Sequence, residues 1–236
     1  VDVALSALQQ IVAHPAAARA GVARAGTGGE RLLPVLPALA RVLPAGGLRR
    51  GTTVSVSGSS SLLLTLLAEP SQAGAWCGVV GHRSLGMLAA IEAGVVPERL
   101  AVVADPGPRW PVVVAALLDA MDIVVLRPPR GGNGADARRL AARARERGAL
   151  LLVAGDWEAA DLRLSVVARR WSGLGQGHGH LRGHSTLVRV EGRGAANRPR
   201  QVWLAGPGHL VGPALPGMPA ELAETVTVLP MAAGSG

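Results

Sequence analysis

Residues 46–67, GGLRRGTTVSVSGSSSLLLTLL, decide how the rest of the chain is read. Gly46 and Gly47 read as a tight turn, 52–57 as a buried strand, 58–61 as a Gly/Ser loop and 62–68 as an apolar helix. A strand, a small-residue loop and a helix N-terminus in that order form the layout of a phosphate-binding loop, where free backbone N–H groups and the helix dipole face an anion. The side chains that make such a loop work are missing. A nucleotide-hydrolysing loop needs a Lys to reach the β/γ-phosphates and a Ser/Thr hydroxyl to hold Mg²⁺, whereas this helix begins Leu62, Leu63, Leu64. The stretch is either a nucleotide site with unusual residues or a nucleotide fold that has lost its nucleotide.

Downstream, short apolar strands alternate with helices. Strands are expected at 76–80, 100–103, 123–126 and 149–154, and helices at 86–94, 110–120 and 135–148. Four-residue apolar strands alternating with helices signal a parallel sheet covered on both faces. The period changes at Leu162: 162–168, 185–191 and 201–204 read as antiparallel strands that extend the sheet. The expected fold is therefore α/β, a three-layer core with a mostly parallel sheet extended by C-terminal antiparallel strands. Upstream, Leu5, Leu8, Ile11 and Val12 have helical spacing, and a Pro-punctuated segment with a short helix from Pro37 leads into the turn. Three units follow: a helical arm and linker over 1–30, a core domain over 31–204, and a Pro/Gly-rich tail over 205–236.

Composition bounds the class. A chain of 236 residues, 49% hydrophobic and 17% charged, has room for one sizeable globular domain with arms. No apolar run reaches transmembrane length and no segment resembles a signal peptide. The lone Cys77 excludes an intramolecular disulfide and suits a reducing cytoplasm, so a cytoplasmic protein without membrane contact is expected. Every basic side chain outside histidine is Arg, and the net charge is +8. That balance favours an acidic partner, nucleic acid or acidic protein, over a basic surface without a partner.

The order of elements carries a resemblance. The stretch LPALARVLPAGGLRRGTTVSVSG (36–58) resembles the entry to the RecA recombinase core, where a Gly-Gly-Leu turn feeds the strand before the ATP loop. In the same order, AGVVPERLAVVADPG (93–107), AMDIVVLRP (120–128), LRLSVVARRW (162–171) and STLVRVEGRGAANRPRQVWL (185–204) resemble the next core strand, the Walker B strand, and the late strands with their hairpin. Within that superfamily the chain is most similar to the ImuA group, in its actinobacterial ImuA-prime form, to which GLGQGHGHLRG (173–183) adds. The resemblance implies an accessory protein of damage-induced, error-prone translesion synthesis. Its partner would be an inactive Y-family polymerase-like protein (ImuB) and, indirectly, an error-prone replicative-type DNA polymerase, with association to the nucleoid on DNA damage.

Carried over residue by residue, the family's chemistry is absent. The resemblance places the ATP loop at Gly58, Ser59, Ser60 and Ser61, the Lys position at Leu64 and its hydroxyl neighbour at Thr65. An aliphatic side chain cannot balance the charge of a triphosphate. The catalytic Glu position, after the strand at 76–80, offers Gly81, His82 and Arg83, and the Walker B carboxylate position is Arg127. A guanidinium has donors only and cannot ligate Mg²⁺. The expectation is a degenerate ATPase with no catalytic residue and no cofactor. The loops that handle DNA in the family shorten here to 127–135 and 155–161, too short to wrap a strand as a filament does.

Other residues have two readings. Arg138, Arg139, Arg143, Arg145 and Arg147 lie on one expected helix with Asp136 and Glu146, as contacts to DNA or an acidic partner or as a solvated face. His178, His180 and His184 have spacings a metal could use, but no Cys or carboxylate accompanies them, and no metal is expected. The loop around Ser59–Ser61 is no G-x-S-x-G elbow. Trp171 and Trp203 read as packing residues rather than base-stacking platforms, as do Trp76, Trp110 and Trp157, with Trp110 also open to a role as an exposed partner contact.

Overall fold

A computed structural model describes residues 32–129, 134–172, 183–194 and 197–205. The expected N-terminal arm, the tail beyond Ala205, and His178 and His180 lie outside the described residues. Ten strands are described: β1 (Leu32–Leu33), β2 (Leu48–Arg49), β3 (Thr53–Ser57), β4 (Cys77–Val80), β5 (Leu100–Val103), β6 (Ile123–Leu126), β7 (Leu150–Ala154), β8 (Leu162–Ser172), β9 (Gly183–Gly192) and β10 (Arg200–Ala205). Five α-helices run between them: α1 (Pro37–Ala40), α2 (Ser60–Gln72), α3 (Met87–Glu92), α4 (Trp110–Ala120) and α5 (Gly134–Arg147).

Eight strands form one sheet in the order β10-β9-β8-β3-β7-β6-β4-β5. The central strands are TVSVS, IVVL, LLLVA and CGVV, short β-branched or aliphatic runs with almost every residue buried. Because successive side chains point to opposite faces, β4, β6 and β7 feed two cores, while β3 gives Val54 and Val56 to one of them. Val54, Val56, Ile123, Val125, Leu150 and Leu152 pack with α1, α2 and α3. On the other face Val124, Leu126, Leu151 and Val153 pack with α4 and α5. The molecule is thus α/β, with helices on both faces of a mostly parallel sheet. Among the described residues no helix is long and apolar enough to cross a membrane.

As the change of period at Leu162 implies, β8, β9 and β10 pair antiparallel with one another. The sequence does not show how they join the sheet: β8 pairs parallel with β3, from Val54 opposite Leu162 to Ser57 opposite Ser165, so in the eight-stranded sheet β9 alone runs against the other strands. The crossover 155–161 makes this possible by returning the chain to the amino edge of the sheet, where Asp161 Oδ2 accepts from Thr53 N at 2.9 Å. Alternation along one strand carries no information about the direction of its neighbour. Helix α2 also continues past 68 through Pro70, which forgoes the i→i−4 bond to the Leu66 carbonyl; the Pro70 carbonyl itself accepts from Ala75 N at 2.9 Å.

At the amino edge of the parallel strands, Asp122 is 4% exposed and accepts from Arg50 Nη1 at 2.7 Å and from Trp76 N at 2.9 Å. That buried ion pair ties the β2–β3 turn to the start of β4 and β6. Beside it the Cys77 thiol is buried, and burial together with the Asp122 charge pushes its pKa up to about 12.

Candidate functional site

The loop 58–61 leaves the carboxyl end of β3, the edge at which open α/β sheets bind ligands. Gly58 has φ +87°, and a Cβ there would sit 3.0 Å from Val166 Cβ, so glycine is needed for the turn and for the close approach of β8. Ser59 is the N-cap of α2, its Oγ accepting from Leu62 N at 3.4 Å and lying 2.6 Å from Ser61 Oγ. The helix therefore caps itself with its own side chain. Thr65, where the resemblance expects a Mg²⁺-binding hydroxyl, donates to Ser61 O at 3.0 Å within its own helix. Leu62, Leu63 and Leu64 are all buried in the core beneath the loop. A cavity of ≈ 10 Å³ lies against Ser61, Leu62 and Thr65, room for one water at most.

Two contacts at this edge had no signal in the sequence. Ser60 Oγ lies 3.3 Å from His82 Nε2, and Arg169, on β8, donates to the Gly58 carbonyl across 111 residues of chain. His82 is 1% exposed, its Nδ1 has no partner, and burial followed by the Arg127 charge holds its pKa below the ordinary value. Among the described residues no carboxylate bonds the imidazole, so within them the Ser60–His82 pair has no third member to orient it as in an activated nucleophile. Nothing in the linear order brings these residues together; the convergence of strand ends does.

The other positions that the resemblance marks, Arg83 and Arg127, also have structural contacts. Arg83 makes an exposed ion pair with Asp105 at 2.6 Å. Arg127 N bonds Val80 O at 2.9 Å, and its carbonyl lies 2.5 Å from where a Cβ on Gly81 would stand, so β6 and β4 close tightly here. Among the described residues no group of three or more His, Cys, Asp or Glu is placed to hold a metal.

Helix α5 sorts its five arginines onto different faces. Arg143 binds Asp119 of α4 through two hydrogen bonds of 2.7 and 2.6 Å, which hold its guanidinium pKa above the ordinary value. Arg147 reaches the same carboxylate at 3.0 Å, and Arg139 pairs with Asp136 at 3.2 Å. Arg138 and Arg145 instead line a ≈ 340 Å³ cleft with Glu158, Asp161 and Arg193. The tryptophans divide likewise. Trp110 and Trp157 are buried, so Trp110 is no exposed contact. Trp171 is 59% exposed and stacks at a tilt on His184 with 4.9 Å between ring centroids, contrary to its expected packing role.

Comparison with known proteins matches residues 41–159, half of the chain, to the MT3502 N-terminal domain. The chain is also 44% identical over 129 residues to the uncharacterized protein Rv3395c of Mycobacterium tuberculosis, an alignment covering 53% of this chain and 63% of that relative. The match thus spans less than two thirds of the relative's length. The matched family segment runs from just after α1 into the 155–161 crossover, so it contains the loop 58–61, His82, Arg83 and Arg127 but not Val166 and Arg169 of β8.

Proposed function

The chain belongs to the MT3502 N-terminal domain family, and from that premise we propose that it is a non-catalytic RecA-like adaptor of the ImuA group, acting in DNA-damage-induced, error-prone translesion synthesis. Its partner on this reading is an ImuB-like, Y-family-related protein, which couples it to an error-prone replicative-type polymerase. The observation that carries the pseudo-ATPase part is the fate of the phosphate-loop region. Leu64 stands where a Lys is needed and is buried, Arg83 and Arg127 stand where carboxylates are needed, and Ser59 caps α2 itself. The actinobacterial relative is in keeping with the ImuA-prime resemblance.

The test is co-purification with the ImuB-like subunit, using the full chain and chains lacking 1–24 or 205–230. A complex with the full chain, lost in one truncation, is expected; no complex with any of the three defeats the adaptor reading. A second reading, a weakly ATP-binding and DNA-binding repair mediator, draws on Arg169 and Arg127 near the loop. Equilibrium binding of a labelled ATP analogue with Mg²⁺ separates the two: micromolar, Mg²⁺-dependent affinity supports the mediator and sinks the pseudo-ATPase.

A further inference from the structure

Positive charge is uneven along the chain. Between residues 162 and 205 the sequence has eight arginines and one carboxylate, Glu191. Over 32–161, by contrast, thirteen arginines face eleven carboxylates. Five of the eight, Arg163, Arg169, Arg170, Arg189 and Arg200, lie on the wing strands β8, β9 and β10 themselves.

Strand register divides the wing into two faces. Leu164, Val188, Val190, Val202 and Leu204 join the core beneath α1 and α2. The opposite face carries Arg163 across from Glu191, then Ser165–Arg189–Gln201, then Ala168–Leu187–Trp203, then Arg170–Ser185–Ala205. The core that covers this side of the sheet under α4 and α5 contains no residue of the three strands. Arg170 is exposed and its guanidinium lies 4.5 Å from the Trp203 ring centroid. Arg163 and Arg170 have no carboxylate partner among the described residues, and Arg189 reaches Glu191 only at 3.9 Å. Val167, in the β8 bulge beside this face, is 44% exposed.

We propose that this outer face of the wing binds single-stranded nucleic acid, with Arg163, Arg170 and Arg189 on the phosphates and the Arg170–Trp203 stack as a platform for an unpaired base. Successive rows on the face lie about 7 Å apart along the strands, so an extended strand crossing them meets a cationic or aromatic group at each step. Guanidinium planes and indole rings both stack on bases, and stacking tolerates any sequence. A duplex keeps its bases stacked on one another and gains only the phosphate contacts. An acidic peptide gains the charge but not the stacking. The site lies on a sheet face away from the strand ends, and it stands independently of the adaptor reading: either can fail while the other holds.

The test is fluorescence anisotropy of the full chain with a fluorescein-labelled oligothymidylate over a salt series, with duplex DNA and polyglutamate as competitors. The single strand binds with log K falling against log salt by about 2, as about three phosphate contacts require. Arg170→Glu/Arg189→Glu weakens binding at least about tenfold and flattens that slope by about 1.4. Trp203→Ala weakens it about tenfold while Trp203→Phe, which keeps a ring and the fold, retains most of the affinity. Arg41→Glu/Arg109→Glu, the same charge change on exposed residues elsewhere, leaves binding within about twofold after the general loss of charge is matched by salt. The proposal is overturned by no binding, by polyglutamate or duplex competing as well as the single strand, or by loss of binding in Arg138→Glu/Arg145→Glu with the wing variants unaffected.

Discussion

The carboxyl edge of the parallel strands and the outer face of the wing both gather polar side chains, and they use them in opposite ways. At the edge most groups are satisfied by one another, His82 Nδ1 excepted: Ser59 caps α2, Thr65 bonds Ser61 O, Ser60 meets His82, and Arg83 pairs with Asp105. On the wing, Arg163 and Arg170 are without carboxylate partners among the described residues. A group already hydrogen-bonded inside the protein must break that bond to hold a ligand, whereas a hydrated guanidinium exchanges only water. The position that fold analogy marks as the site is therefore the one least equipped to act, and the added strands are better equipped.

Substitutions can break or sharpen that contrast, and the largest effects belong to the parallel half. Asp122→Ala leaves Arg50 and Trp76 N without their buried acceptor, and denaturant unfolding should report a loss of about 3–5 kcal/mol. Leu64→Lys puts a charge where a leucine 4% exposed now packs, for a loss of about 3 kcal/mol. It should yield no phosphate release from ATP, because Arg83 and Arg127 remain; measurable turnover would erase the contrast by showing that the edge is one residue from active. Gly58→Ala forces a side chain into φ +87° against Val166, costing about 1–3 kcal/mol by the same unfolding assay.

Smaller again is a pH effect. The folded pKa of His82 lies below 6.5, so the unfolded chain takes up a proton before the native state does. Stability should be full above pH 6.5 and fall as pH drops below it, and His82→Gln should flatten that part of the profile. A His82→Gln profile that matches wild type would show the imidazole to be solvated. The smallest effect is expected for Arg143→Gln on α5, whose exposed pairing with Asp119 should shift the unfolding midpoint by an amount near the limit of detection.

Much of the fold could be read locally. Spans 100–103, 110–120 and 123–126 coincide with β5, α4 and β6, because short β-branched runs and a Pro-started apolar helix are properties of neighbouring residues. What could not be read locally is which side chains end up exposed. Trp171 resembles a core tryptophan in sequence, and only its exposure separates it from Trp110 and Trp157. The arginines of α5 are close together in sequence, yet Asp119, on another helix, engages two of them. Arg163, Arg170 and Arg189 of the wing are far apart in sequence and meet only through strand pairing.

By itself the sequence determined which elements form and which side chains stand at each position: strand and helix periods, and Leu64, Arg83 and Arg127 where the RecA resemblance expects a Lys and carboxylates, are statements about residue identity. Tertiary structure alone decided that β8 runs parallel to β3, that His82 meets Ser60, and that Arg163, Arg170, Arg189 and Trp203 share a face outside the core under α4 and α5. Period-two alternation fixes which residues of one strand share a side. Which strands become neighbours, and which side a helix then covers, depends on how distant segments pack.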